Sequence, residues 1–440
     1  MSTLMQARKS RAGELSLERQ VAGKVHWRLG VPAILFMLLS SLDRVNISFA
    51  ALSMNDALGL GPREYGFGAG ILFAGFLAGQ YPSVLWLQRV GMHRWLATCA
   101  VAWAVCAGGI AWVRTPLEFY LLRVALGFAE AGLAPGIVLY LSQFATERQR
   151  ATTFALPMLA IPLSIVMGSP LSGWLLSVRP PWGLGAWRWM LLIEALPALV
   201  LGVTAWLYFP DTPGEARWLS VAERHWLEAN AAHRLRSRAT NDWRVLRKPL
   251  VWLASLLWFC LLSGAYGIMF WLPQTIKHFA GLGPVQVGWV NALPWLGAMA
   301  GMYFNSAHSD RSGERFWHIA LPAAIAALAI GCAWSLGPGP LALIALLITG
   351  IGVGAAQGAF WALPTRMLSQ STFAVAAVAI NVAGSSGGLV MPHLMGYALA
   401  RGGGFGAPTA LVGGILMLAV VLVVCLRPLA STALQEPSPS

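Results

Sequence analysis

Twelve long apolar runs, separated by short polar stretches, set the rhythm of this chain. They fall at roughly 29–53, 65–87, 95–113, 118–142, 151–178, 187–209, 250–278, 285–307, 317–336, 340–364, 372–400 and 406–426. A membrane-crossing helix needs about 20 mostly apolar residues, and each run is of that order. Backbone in lipid must satisfy its own hydrogen bonds, which leaves helices for runs of this length. Most connections are short, but Pro210 to Pro249 is long and mixes eight basic with five acidic residues. The expected fold class is therefore all-α integral membrane, with twelve transmembrane helices in two six-helix halves. The expected divisions are a tail at 1–28, a first half at 29–209, a central loop at 210–249, a second half at 250–426 and a tail at 427–440.

Composition strengthens this reading. Of 440 residues, 57% are hydrophobic and 11% are charged, where a soluble domain carries about 25% charged residues. The 21 Trp and 47 Gly suit interfaces and closely packed membrane helices. A formal charge of +13 raises nucleic acid as a partner, but the basic residues lie in the loops. With the N-terminus inside, 22 of them fall in the tails and cytoplasmic loops and six outside, leaving Arg44 and Arg123 within helices. Lys and Arg concentrate on the cytoplasmic side, so both termini and the central loop are expected there, in a multi-pass protein of the cell inner membrane. The basic stretch 1–28 has neither an apolar core nor a cleavage site and does not read as a signal peptide. Cys99, Cys106, Cys260, Cys332 and Cys425 all fall in apolar runs without metal-ligand spacing, so neither a metal nor a cofactor is expected.

The halves repeat. Arg89 and Gly91 in loop 2–3 match Arg311 and Gly313 in loop 8–9 at an offset of 222. An R-x-G match alone is weak, but at corresponding places in two halves it fits the internal repeats of alternating-access carriers. Asp310 is the carboxylate expected to pair with the second copy's Arg, and Gln88 replaces it in the first. These residues are read as cytoplasmic gate motifs rather than substrate contacts.

Charges at membrane depth are costly and usually functional. Asp43 is the fifteenth residue of a span of about 25, near its middle at ~1.5 Å per residue, and Arg44 follows it. In span 4, Arg123 and Glu130 are seven apart, two turns along one face, with Gly127 between them. An arriving anion would compete for an arginine, release a carboxylate and favour its protonation, which couples the anion to proton uptake. Arg suits the anion role because its fork binds carboxylates bidentately. A purely structural ion network is the competing explanation. Glu194 in span 6 is read as a structural pairing group, and His393 as a satisfied hydrogen bonder. Spans 7–12 have no acid at their centres; they offer Asn381 in a small-residue stretch, and aromatics that mostly read as packing or interface belt. Trp361 is the aromatic kept as a substrate contact.

Leu42-Asp43-Arg44-Val45-Asn46-Ile47-Ser48-Phe49-Ala50-Ala51-Leu52 resembles the first-helix signature of the anion:cation symporter family of the major facilitator superfamily. Leu122-Arg123, Glu130-Ala131-Gly132 and Pro135-Gly136 resemble its fourth helix, and the likeness runs from about 26 to 427. It implies the major facilitator fold and proton symport of organic anions, with a bilayer but no nucleic acid as partner and a monomeric protein. It makes Asp43 and Glu130 proton-carrying positions, and it places Arg44, Arg123 and Asn381 on substrate-contacting or acid-holding ones. Ser41 and Phe76 stand where sugar-acid carriers have Tyr, and Ile161 where they have Gln; Gln80 falls where the hydroxyphenylacetate and tartrate branch often has Glu. With fewer polar partners, the cavity is expected to take a less hydroxylated small carboxylate, aromatic ones included. A proton-driven antiporter or exporter is the alternative. No H-E-x-x-H or G-x-S-x-G pattern is present, so an enzyme is not expected.

Overall fold

The computed structural model describes residues 17–144, 147–235, 243–337, 339–368, 370–402 and 404–435. The basic residues Arg8, Lys9, Arg11, Arg236 and Arg238, read above as tail and central-loop charges, lie outside the described residues. The first half comprises α1 (Val31–Leu58), α2 (Pro62–Val90), α3 (Met92–Gly109), α4 (Pro116–Glu130), α5 (Leu133–Phe144), α6 (Glu147–Ser177) and α7 (Ala186–Tyr208). An amphipathic helix, α8 (Val221–Leu235), lies in the connector. The second half comprises α9 (Pro249–Ala280), α10 (Pro284–Ser312), α11 (Trp317–Ser335), α12 (Pro340–Phe360), α13 (Ala362–Met367), α14 (Gln370–Ala400) and α15 (Gly406–Gln435).

Among the described residues, eleven helical stretches are long and apolar enough to cross a membrane. The twelfth span is α10, whose 29 residues suffice in length but include Asn291, Asn305, His308, Asp310 and Arg311. Two spans expected to be continuous are broken. Span 4 splits between α4 and α5 because Pro135 has no N–H for the Ala131 carbonyl, and span 10 splits at Trp361 because Pro364 has none for Phe360. The breaks fall in corresponding helices of the two halves.

The halves meet at the ends of their helices farthest from the termini. There Gly66 and Gly70 of α2 press on the backbone of α14 at Leu389, Pro392 and Gly396, and Gly173 of α6 presses on Pro284 and Gly288 of α10. In lipid, where burying apolar surface gives little drive, close backbone contact of this kind holds helices together. Polar bonds reinforce it: Asn291 Nδ2 donates to Ser169 Oγ at 2.8 Å, Tyr65 Oη to the Phe270 carbonyl at 2.7 Å, and Lys277 Nζ to the Leu52 carbonyl at 3.1 Å. Asn381 is on nearly the same face of α14 as Gly388, two turns nearer the termini, yet it is exposed. The halves therefore part toward the terminus-bearing end.

At that end Lys24 Nζ reaches both carboxylate oxygens of Glu223 at 2.8 Å. The Ser220 amide donates to Glu223 Oε2 at 2.7 Å, and the Glu223 amide to Ser220 Oγ at 3.3 Å, closing a capping box on α8. Burial opposes the charged form of Glu223, but the hydrogen bonds from Lys24 and Ser220 outweigh it and hold the carboxyl below its ordinary value. A depressed acid stabilises the fold at neutral pH and loses that contribution as pH falls through its folded value. The protection of the α8 amides against hydrogen exchange should thus fall once the pH drops below the ordinary carboxyl range, and Lys24→Ala should move that onset to higher pH. An onset unmoved by Lys24→Ala would remove the clamp.

Candidate functional site

The Ser40–Asn46 segment of α1 meets α3, α4 and α7 through its polar side chains, and it carries two adjacent charges at membrane depth, Asp43 and Arg44. Arg44 Nη2 pairs with Glu130 Oε2 at 2.9 Å. Only 12% of the Arg44 side chain is exposed, and none of Glu130's. The Ser40 hydroxyl lies beside the same carboxylate. The Arg44 guanidinium sits 5.0 Å from the Phe76 ring centroid and 5.8 Å from that of Phe73, within cation–π range. The Tyr266 hydroxyl, from the second half, also lies beside it. Arg44 is thus the charged group that both halves address.

Asp43 is held apart from this pair. Its Oδ1 accepts from Asn46 Nδ2 at 2.9 Å and its Oδ2 from Trp103 Nε1 at 2.6 Å, and it is 1% exposed. Consecutive helical residues point about 100° apart, so Asp43 faces α3 while Arg44 faces the seam.

Arg123 differs from the expectation. It is fully buried and turns to α2, where Nε donates to the Gly68 carbonyl at 3.2 Å and Nη2 to that of Ala69 at 3.0 Å. In this conformation it holds a helix contact rather than presenting a fork to a ligand, and its Nη1 has no partner. The four charges form one direct ion pair and two separately held groups, not a single network. Ser41 is likewise buried at 4% exposure, and its neighbour Ser40 is the hydroxyl beside Glu130. Phe76 is half-buried under Arg44. In the second half Trp361 is half-buried at the α12–α13 break, edge-on to Trp258 at 5.4 Å, with no partner for its indole N–H.

The gate motifs lie at the terminus-bearing end. Gly91 and Gly313 both take positive φ, 83° and 71°, which glycine adopts without a Cβ penalty. The Asp211 carboxylate packs against Gly91 and accepts from the His93 amide at 3.0 Å and from His93 Nδ1 at 2.9 Å. Asp310 pairs with Arg315 at 2.5 Å rather than with Arg311, because the chain reverses at Gly313 and brings Arg315 back beside the end of α10. Arg89 and Arg311 are exposed. Arg366 Nη1 donates to the Gly313 carbonyl at 2.9 Å, tying α13 to this turn.

Trp103, Asn46, Ser40 and Tyr266 complete the site. Three of them have partners distant in the chain; Asn46, one turn after Asp43, is the one that i, i+3 spacing could have signalled. Among the described residues, no group of three His, Cys, Asp or Glu could hold a metal.

Sequence and structure comparisons agree on the kind of protein. The model of the Major Facilitator Superfamily matches residues 33–392. A protein of Agrobacterium vitis named "Putative tartrate transporter" is 39% identical over 419 residues, covering 93% of this chain and 92% of its own. The "Quinolone resistance transporter" of Acinetobacter baumannii is 28% identical over 412 residues, covering 93% and 95%. A solved bacterial homologue of the human lysosomal transporter Spinster superimposes with a TM-score of 0.75 at 17% identity, covering 93% of this chain and 98% of its own.

Proposed function

The chain belongs to the major facilitator superfamily as a multi-pass membrane transporter and not an enzyme, and from that premise we propose that it takes up a small organic anion together with protons. The observation that carries this reading is the Arg44–Glu130 pair, placed where Phe73, Phe76 and Tyr266 converge from both halves. An anion entering from the seam competes with Glu130 for the guanidinium. Glu130, left buried without its counter-charge, then takes a proton, because an uncompensated carboxylate in a non-aqueous interior is unfavourable. Asp43 serves as the second proton position, Asn381 and Trp361 as neutral contacts, and Arg123 as a brace on α2. The gate motifs Arg89, Gly91, Asp310, Arg311 and Gly313 then control opening at the terminus-bearing end. With both termini cytoplasmic in the inner membrane, that end faces the cytoplasm and the conformation is inward-open. The likeness to the Agrobacterium protein makes tartrate the first acid to test, and hydroxyphenylacetate the second. The protein acts as a monomer.

Proton-driven export is the second reading, favoured by the likeness to the Acinetobacter protein. Titration calorimetry of tartrate and hydroxyphenylacetate in buffers of different ionisation heat separates the two. Symport predicts that anion binding draws protons onto the protein; binding with no proton uptake would sink it. Arg44→Lys replaces a planar fork with a point charge, so the dissociation constant of the bound acid should rise about tenfold, or ~1.4 kcal/mol. Unchanged affinity would move the anion site elsewhere.

A further inference from the structure

One buried carboxyl has no place in the scheme above. Glu194 of α7 is 3% exposed, and among the described residues no ion pair reaches it. Its Oε1 accepts from Ser172 Oγ of α6 at 2.6 Å, while Oε2 has no hydrogen-bond partner. Asn46 lies between it and Asp43: the amide nitrogen donates to Asp43 Oδ1 at 2.9 Å, and the same side chain also neighbours Glu194. Ser172 and Asn46, the hydrogen-bonding side chains around Glu194, are neutral.

We propose that Glu194 takes up and releases a proton in each transport cycle, as a third carboxyl beside Asp43 and Glu130. This rests on the symport reading and deepens it. The surroundings suit both forms of the group. Ser172 supplies the donor that an ionised carboxyl needs, and the vacant Oε2 is the position for a proton. One O–H bond forms when that proton arrives from water on one side of the membrane, and the same bond breaks when it leaves to the other.

Asn46 makes the two carboxyls interdependent. Its amide, which has two N–H groups, donates to Asp43 and already lies against Glu194 in this conformation; protonation of Asp43 weakens the first bond and shifts the amide further toward Glu194. The other ionisable groups around the cluster are Arg123 and Glu130 from α4, which face Asp43, with Arg44 from α1 and Cys106 from α3 facing Glu130 in turn. The two arginines are balanced by Asp43 and Glu130, so Glu194 is the surplus acid. A surplus acid changes the number of protons moved without altering the anion contact.

The test is the proton count per anion, from reversal potentials in proteoliposomes that carry tartrate, or hydroxyphenylacetate if that is the acid the wild type accumulates. Glu194→Gln should transport with one proton fewer per anion than the wild type, at little-changed anion affinity. An unchanged count would overturn the proposal. Should the Gln variant not fold, Glu194→Met, which removes the buried polar group altogether, takes its place with the same expectation. Failure of both to yield folded protein that binds the acid would make Glu194 a structural group and overturn the proposal equally. A wild type with no proton coupling would instead overturn the symport reading beneath it.

Discussion

Glu130→Gln should abolish accumulation driven by a pH gradient while leaving anion exchange across the membrane intact. The substitution keeps the volume of the side chain and a hydrogen-bonding oxygen for Arg44, but removes the charge and the titratable oxygen. A gradient of one pH unit is worth about 1.4 kcal/mol per proton, or tenfold in accumulation for each proton coupled. The wild type should concentrate its acid accordingly. Because Glu130 is the acid the anion displaces from Arg44, the protons at Asp43 and Glu194 are not tied to the anion without it, and the variant should settle near equal concentrations on the two sides. Radiolabelled uptake with and without an imposed gradient, beside exchange into acid-loaded vesicles, reads both properties. Removing one partner of a buried pair leaves an uncompensated charge that costs about 3–5 kcal/mol. Part of that is relieved here because the Arg44 side chain is 12% exposed, so the purified variant should melt lower yet remain folded. Undiminished accumulation would remove Glu130 from the coupling scheme.

The largest structural effect should follow from Gly127→Val. Gly127 of α4 lies against the Leu72 carbonyl and the Phe76 amide of α2, and Gly75 of α2 lies against the Val124 carbonyl of α4. The two helices touch backbone to backbone at the level between Arg123 and Glu130. Here a Cβ meets backbone rather than a flexible side-chain end, so the helices must separate. Overpacking of a core costs about 1–3 kcal/mol, and displacing backbone falls at the top of that range or beyond. Separation would also draw α2, with Phe76, away from Arg44. Gly414→Val of α15 is the control, since nothing lies within 4 Å of a Cβ placed there. Size-exclusion recovery and melting temperature of the two variants make the comparison: loss of folded protein for Gly127→Val, near wild-type behaviour for Gly414→Val. Equal recovery would show that α2 and α4 can yield at this contact.

Hydrophobic runs made the helices legible because length and apolarity decide what crosses a bilayer. They could not show where spans break, since a run stays apolar through Pro135 and Pro364 while its hydrogen bonds do not. The depth of Asp43, Arg44, Arg123 and Glu130 was readable from their places in apolar runs. Their pairing was not. Arg44 and Glu130 come together from positions 86 apart, while Arg123 finds the carbonyls of Gly68 and Ala69, and nothing in the spacing of charges announces a backbone acceptor. The gate glycines stood out as a repeated R-x-G, and both adopt the positive φ that explains the glycine. The Asp310 partner, Arg315, depended on how the turn at Gly313 reverses the chain.

The central claim is that an organic anion and protons move inward together through the Arg44–Glu130 site. The most direct measurement is uptake of labelled tartrate and hydroxyphenylacetate into proteoliposomes of the wild-type protein under an imposed pH gradient. The account predicts accumulation when the interior is alkaline, collapse of that accumulation when a protonophore dissipates the gradient, and alkalinisation of the external medium as the acid enters. Accumulation favoured instead by an acidic interior, with protons leaving as the acid enters, would contradict it and assign the protein to antiport.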